Sequence, residues 1–106
     1  MMIIMTKYHA KRTEVDGIKF ASRKEANRYQ ELCLLEKAGE ISHLILQPVW
    51  KLVVNEMLIC KYIADFQYCT EAGDVITEDC KGVLTPVYRL KKKLMKAIYG
   101  IEIFET

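Results

Sequence analysis

Ile63-Ala64-Asp65-Phe66 and, beyond the turn Glu71-Ala72-Gly73-Asp74, the run Val75-Ile76-Thr77-Glu78-Asp79-Cys80-Lys81-Gly82 form the stretch on which the fold of this chain turns. Aliphatic and β-branched residues dominate both runs, and the glycine and acids between them have turn chemistry, so successive strands are expected. A small domain ordinarily keeps strand charges on the solvent face, yet here an aspartate interrupts the apolar run IADF. Side chains alternate between faces along a strand. Asp79 and Lys81 therefore project to one side and Glu78 with Cys80 to the other, unless a bulge intervenes. Parity thus selects Asp79 over Glu78 as the companion of Lys81. With Asp65 on that same face, two carboxylates and an ammonium meet at one place on a sheet.

Working outward, the residues to about Ala10 carry no period and are expected to begin as a loose tail. Thr13-Glu14-Val15-Asp16-Gly17-Ile18-Lys19-Phe20 places Asp-Gly between short alternating runs, the signal of a hairpin with a type I′ turn. A helix is predicted from Ser22, with Ser22 and Glu25 at capping-box spacing and Gly39 as the stop. Ala26, Tyr29, Leu32 and Cys33 make its buried stripe, and Glu25 falls at the stripe's edge. Glu25 has two readings of equal weight at this point: a cap worth about 1 kcal/mol, or a carboxylate aimed at the sheet.

Ile41 to Leu46 is apolar and short, and Pro48 implies that a central strand starts only after it. Val49–Val54, Leu58–Tyr68 and Val75–Lys81 are then predicted as an antiparallel meander. Thr85-Pro86 opens a second helix, with Val87, Leu90, Leu94, Ala97 and Ile98 as its apolar face and Gly100 as its end. Ile101 to Phe104 reads as a last strand. The predicted class is α/β (α+β), in the order hairpin, α, β, β, β, α, β. With no repeat or linker, residues 1–106 are expected to form a single domain.

A hydrophobic fraction of 51% and a charged fraction of 28% exclude a disordered chain. The net charge of +2 does not by itself mark a nucleic-acid binder. Its distribution is more telling: Lys7, Lys11, Arg12, Arg23 and Lys24 gather around the first hairpin and helix start, and Arg89, Lys91, Lys92, Lys93 and Lys96 on the second helix. Such runs are often only solvated faces; flanking an acidic site, they would track phosphates. The four cysteines lack zinc-ligand spacing, and Met1-Met2-Ile3-Ile4-Met5 is too short for a membrane span. A reducing, cytoplasmic setting and no membrane partner are expected.

Phosphodiester hydrolysis needs a polarised phosphorus, an activated water and a stabilised leaving oxygen. Magnesium needs only one or two protein carboxylates, which Asp65 and Asp79 would supply. Glu25 would add a ligand or a supporting contact, the Cys80 carbonyl is available to the metal, and Lys81 would orient the water or stabilise negative charge. An acid-x-Lys pair alone is more often a surface salt bridge, worth about 0–1 kcal/mol. Joined to the acid of IADF and to Glu25, it gains specificity.

The arrangement resembles the PD-(D/E)xK nuclease superfamily, with its restriction-endonuclease-like αβββαβ core of a mixed sheet flanked by two helices. Asp65 and Asp79-Cys80-Lys81 match its motif, and Glu25 matches the acid many members carry on the first core helix. The phrases TEVDGIKFASRKEANRY, LLEKAGEI, LQP, YIADFQY, EDCKGVLTP and YRLKKKLMKAIYGIEI are similar to those of small phage-encoded members. Ala64 stands where the family's proline precedes the first aspartate. The resemblance implies a magnesium- or manganese-dependent endonuclease of phage replication or recombination, acting on DNA, with branched DNA and a homodimer among the family's habits. It also implies a substrate-positioning role for Gln47, and the flanking Lys11, Arg12, Arg23, Lys24, Arg89, Lys91, Lys92 and Lys93 are the expected DNA contacts. The alternative is a catalytically silent module of the same fold that binds DNA or a replication or host protein.

Overall fold

Asp16 and Gly17 both adopt left-handed backbone, with φ of 53° and 78°. That is the I′ geometry whose twist matches paired strands, and it joins β1 (Thr13–Val15) to β2 (Ile18–Phe20). The computed structural model describes residues 12–81 and 84–106. The expected loose start to about Ala10 lies outside them, as does Lys11.

The helix α1 (Arg23–Lys37) begins where predicted: the Ser22 hydroxyl accepts the Glu25 N–H at 3.1 Å. Ala26 and Leu32 are buried on it, with Tyr29 and Cys33 half-buried. After it come β3 (Ile41–Leu46), β4 (Val49–Val54), β5 (Met57–Ile63), β6 (Phe66–Thr70) and β7 (Val75–Asp79), then α2 (Pro86–Tyr99) and β8 (Ile103–Glu105). The chain is thus a mixed α/β structure with two helices and several sheets. Its main sheet has the order β3-β6-β7-β8, antiparallel except for the parallel β7–β8 pair.

The predicted meander is corrected by this pairing. Ile41–Leu46 is itself a strand of the main sheet, and the expected strand Leu58–Tyr68 divides at Ala64-Asp65 into β5 and β6, which belong to different sheets. The cause lies at Gln47-Pro48. Gln47 turns left-handed, with φ of 52°, and Pro48 has no N–H with which to continue the β3 ladder. The chain leaves the sheet there and returns at Asp65. The Gln47 N–H donates to the Asp65 carbonyl at 3.0 Å and the Ala64 N–H to the Pro48 carbonyl at 3.1 Å. Between these bonds β4 and β5 form a separate antiparallel ribbon, closed by Asn55 and Glu56 in left-handed backbone.

Two cores lie on opposite faces of the main sheet. On one, Ala26 and Leu32 of α1 pack with Phe20, Ile41, Phe66 and Tyr68. On the other, Tyr88 and Met95 of α2 pack with Leu52, Tyr62, Ala64 and Ile103. Burying a side chain such as Phe66 or Met95 completely contributes about 1.5–3 kcal/mol. The expected apolar face of α2 is shifted: Leu94 and Ile98 pack against the core, but Val87, Leu90 and Ala97 are exposed. Its apolar arc is wider than the surface it meets, and Tyr88 takes the contact with Tyr62, at 6.4 Å between ring centroids. Gly100 ends the helix in left-handed backbone, with φ of 70°. Among the described residues no helix is long and apolar enough to cross a membrane.

Candidate active site

The end of β7 carries two buried acids that point opposite ways, as strand parity requires. Glu78 faces α1, where Arg28 grips it with Nε at 2.6 Å and a second guanidinium nitrogen at 3.0 Å. The Tyr68 hydroxyl donates to the same carboxylate at 2.6 Å and that of Thr106 at 3.2 Å. Glu78 is a satisfied structural anion. Asp79 faces the α2 side: its Oδ2 accepts the Tyr62 hydroxyl and pairs with the Lys81 ammonium at 3.1 Å. Lys81 is also fixed from the other side, its Nζ lying 4.2 Å from the centroid of the Tyr88 ring.

Asp65 sits in the break between β5 and β6. Its N–H donates to the Glu78 carbonyl at 3.1 Å, and its Oδ2 accepts the Cys80 N–H at 2.7 Å. Cys80 therefore meets this acid through its amide N–H. Thr106 holds the far edge, donating its N–H to the Asp79 carbonyl at 3.0 Å and accepting that of Lys81 at 3.2 Å. Glu25 in the first turn of α1 is only 7% exposed. Its carboxyl interacts with Asp79, Lys81 and Asp65. Glu25, Asp65, Asp79 and Lys81, chosen from sequence, are thus brought together. The two readings of Glu25 merge, since its amide serves the cap while its carboxylate faces the sheet.

The electrostatics follow from crowding. Burial, then Asp79, then Glu25 push the Asp65 carboxyl up to about 8, against the Cys80 N–H, which lowers it. Burial and Asp79 likewise raise Glu25, while Lys81 and Asp65 pull it back. Burial first and then the bond to Asp79 keep the Tyr62 phenol protonated. Burial pushes the Cys80 thiol up to about 11, which leaves it a poor nucleophile. Three carboxyl groups crowd around the Lys81 ammonium, and burial and their mutual repulsion keep Asp65 and Glu25 inclined to hold protons. The cluster's donors are all hard oxygens, the chemistry that suits magnesium or manganese. Among the described residues no three acid, His or Cys side chains stand as a preformed ligand group. Two carboxylates suffice for magnesium, which keeps several of its waters.

A pH dependence follows. Asp65 holds its proton to about pH 8 when folded and releases it near pH 4 when unfolded. Between those limits the folded chain binds more protons, so stability falls as pH rises and levels off above the folded value. Glu25 acts in the same direction. Urea unfolding in chelator is expected to show this decline, with a slope of up to about 1.4 kcal/mol per pH unit from Asp65. Asp65→Asn should flatten it; an unchanged slope in that variant would remove Asp65 as the cause.

The remaining sequence candidates divide. Gln47 is exposed and reaches the site through its backbone bond to Asp65. Lys24 donates to the Lys81 carbonyl at 3.2 Å, beside the acids, and Arg12 and Arg23 are exposed. Arg89, Lys92 and Lys93 line a hollow of about 520 Å³ with Glu102, whereas Lys91 lines a separate one that includes Lys81. Lys92 is occupied by Glu105 at 2.9 Å. Sequence reasoning missed Tyr62 and Tyr88. Tyr62 offered one signal, a strand position of the same parity as the buried Ala64.

The fold and site together define a mixed α/β protein with an acidic cluster held against Lys81. The chain belongs to the DUF1064 family, whose model, described as "Protein of unknown function (DUF1064)", matches residues 5–103. No curated protein and no solved structure matches it.

Proposed function

We propose that this protein is a divalent-metal-dependent endonuclease that hydrolyses DNA phosphodiester bonds. The observation that carries the reading is that Asp65, in the break between β5 and β6, and Asp79 of β7 come together beside Lys81, with the buried Glu25 of α1 close enough to interact with all three. With the β4–β5 ribbon set aside, the order α1, β3, β6, β7, α2, β8 resembles the αβββαβ core of the PD-(D/E)xK superfamily. That likeness also supports a role in phage replication or recombination, in the host cytoplasm.

Asp65 and Asp79 would hold the magnesium or manganese ion, with Glu25 as a supporting carboxyl that interacts with both. When bound, the ion supplies Lewis-acid activation and neutralises charge at the scissile phosphate. Tyr62 orients Asp79 by donating to Oδ2. Lys81, set between Asp79 and the Tyr88 ring, presents its ammonium to a phosphate oxygen and stabilises the charge that develops there. Lys24 adds a second ammonium at the same edge.

Linear, flapped and four-way DNA incubated with magnesium or manganese tests the reading. Metal-dependent cleavage of at least one substrate, suppressed by chelator, is expected. No cleavage of any of them, together with no manganese binding by calorimetry, would overturn it.

A further inference from the structure

The β4–β5 ribbon carries cations that nothing among the described residues neutralises. Lys51 and Lys61 stand directly opposite one another in register, and both are exposed. Like charges facing across a ribbon destabilise it. Neither these two nor Lys91 of α2 belongs to an ion pair among the described residues. The ribbon's one acid, Glu56, is at the turn. On the flank nearer α2, a groove of about 290 Å³ is lined by Lys61, Ile63, Lys81, Val87, Tyr88 and Lys91, among others. Among the described residues no acid lines it, and the first turn of α2 contains none, so the positive end of that helix adds to the potential.

We infer that this groove seats the phosphodiester backbone of a nucleic-acid strand, with Lys61 and Lys91 as its phosphate contacts and Lys51 extending the track along the ribbon. The inference rests on the phosphodiester reading of the site, because Lys81 belongs to both groove and acid cluster. Charge complementarity carries it: an unneutralised lysine pair at one end, no acid along the lining, and a lysine beside three carboxylates at the other end. A strand of regularly spaced phosphates would relieve the Lys51–Lys61 repulsion and be led to the site. The other basic side of α2 is a weaker track, since Lys92 and Lys96 are engaged by Glu105 and Glu102 at 2.9 and 2.8 Å. A recessed groove between ribbon and helix also fits a strand better than a flat anionic bilayer.

The test is equilibrium binding of a fluorescent oligonucleotide, single-stranded and duplex, to the full chain in chelator across a salt series. Lys61→Ala/Lys91→Ala is compared with Lys19→Ala/Lys37→Ala, which removes the same charge from exposed positions elsewhere. The groove variant should lose more than about tenfold in affinity, and its salt slope should fall by roughly 1.5–2. The comparison variant should lose under about threefold, and adding Lys51→Ala should deepen the groove variant's loss. Unfolding temperatures establish that the variants fold. Equal losses in both variants, an unchanged groove variant, or equally tight lysine-dependent binding to phosphatidylserine vesicles would overturn the inference. Binding in chelator requires no hydrolysis. Groove-dependent binding without cleavage therefore sinks the hydrolase reading alone, and cleavage with groove-independent binding sinks this inference alone.

Discussion

Asp79→Ala is expected to lower metal-dependent DNA cleavage by at least about 100-fold, since loss of even a supporting contact at a metal site costs about 10–100-fold. Asp79 is 2% exposed and is the point where the Tyr62 hydroxyl, the Lys81 ammonium and the influence of Asp65 and Glu25 meet. Its removal takes away one of two proposed metal ligands and releases Lys81 together. The fold should survive, because Asp79 also crowds Asp65 and Glu25 with like charge, and losing it relieves both. Asp79→Asn keeps the volume and the acceptor for Tyr62, so loss of activity with an unchanged unfolding temperature would isolate the charge. Tyr62→Phe separates orientation from ligation: a higher manganese requirement with residual activity marks Tyr62 as a positioning residue. Undiminished cleavage by Asp79→Ala, or cleavage by the parent in chelator, would overturn the mechanism.

The largest stability effect should come from the opposite face of the same strand. Arg28→Met is expected to cost about 3 kcal/mol, the low end for removing one partner of a buried pair. Glu78 is fully buried and would be left as an anion with only the Tyr68 and Thr106 hydroxyls to hold it. Arg28 is 23% exposed on its side chain, which places the cost at the low end. Against a total stability of about 5–15 kcal/mol, such a loss is plain in urea or thermal unfolding. Adding Glu78→Gln removes the stranded charge and should restore much of the difference, so the double-mutant cycle reads the pair directly. A loss below about 1 kcal/mol for Arg28→Met would place this pair with ordinary surface ion pairs.

The site was legible in sequence because its signals are local. Strand parity separated Asp79 from Glu78, and the cap at Ser22 fixed the phase that brings Glu25 inward. The strand pairing was less legible. Nothing between Leu58 and Tyr68 is a glycine or proline, so alternation runs unbroken through the point where the chain changes sheets. What divides β5 from β6 is pairing with distant partners, since Phe66–Thr70 takes Ile41–Leu46 while Met57–Ile63 takes Val49–Val54. A strand does start only after Pro48, at Val49, but it lies in the ribbon and not at the centre of the main sheet, and the departure from β3 at Pro48 was not legible. The phase of α2 failed for a similar reason. Val87, Tyr88, Leu90, Leu94 and Met95 form a broad arc, and only the position of Tyr62 decides which edge of it is covered. Glu78 was correctly set aside as Lys81's companion, but its partner Arg28 lies fifty positions away in the chain and no local pattern announces it.

The paired bonds at Gln47–Asp65 and Pro48–Ala64 give the β4–β5 ribbon a single doorway in the sheet. Its base is anchored by Leu52 and Tyr62, while its tip, from Val53 to Ile59, is exposed throughout. The tip can therefore be lengthened, shortened or exchanged without moving Asp65. Changes at the tip and the placement of the acids are mechanically separate, so ribbon tips from other chains could be grafted here while Glu25, Asp65 and Asp79 keep their places.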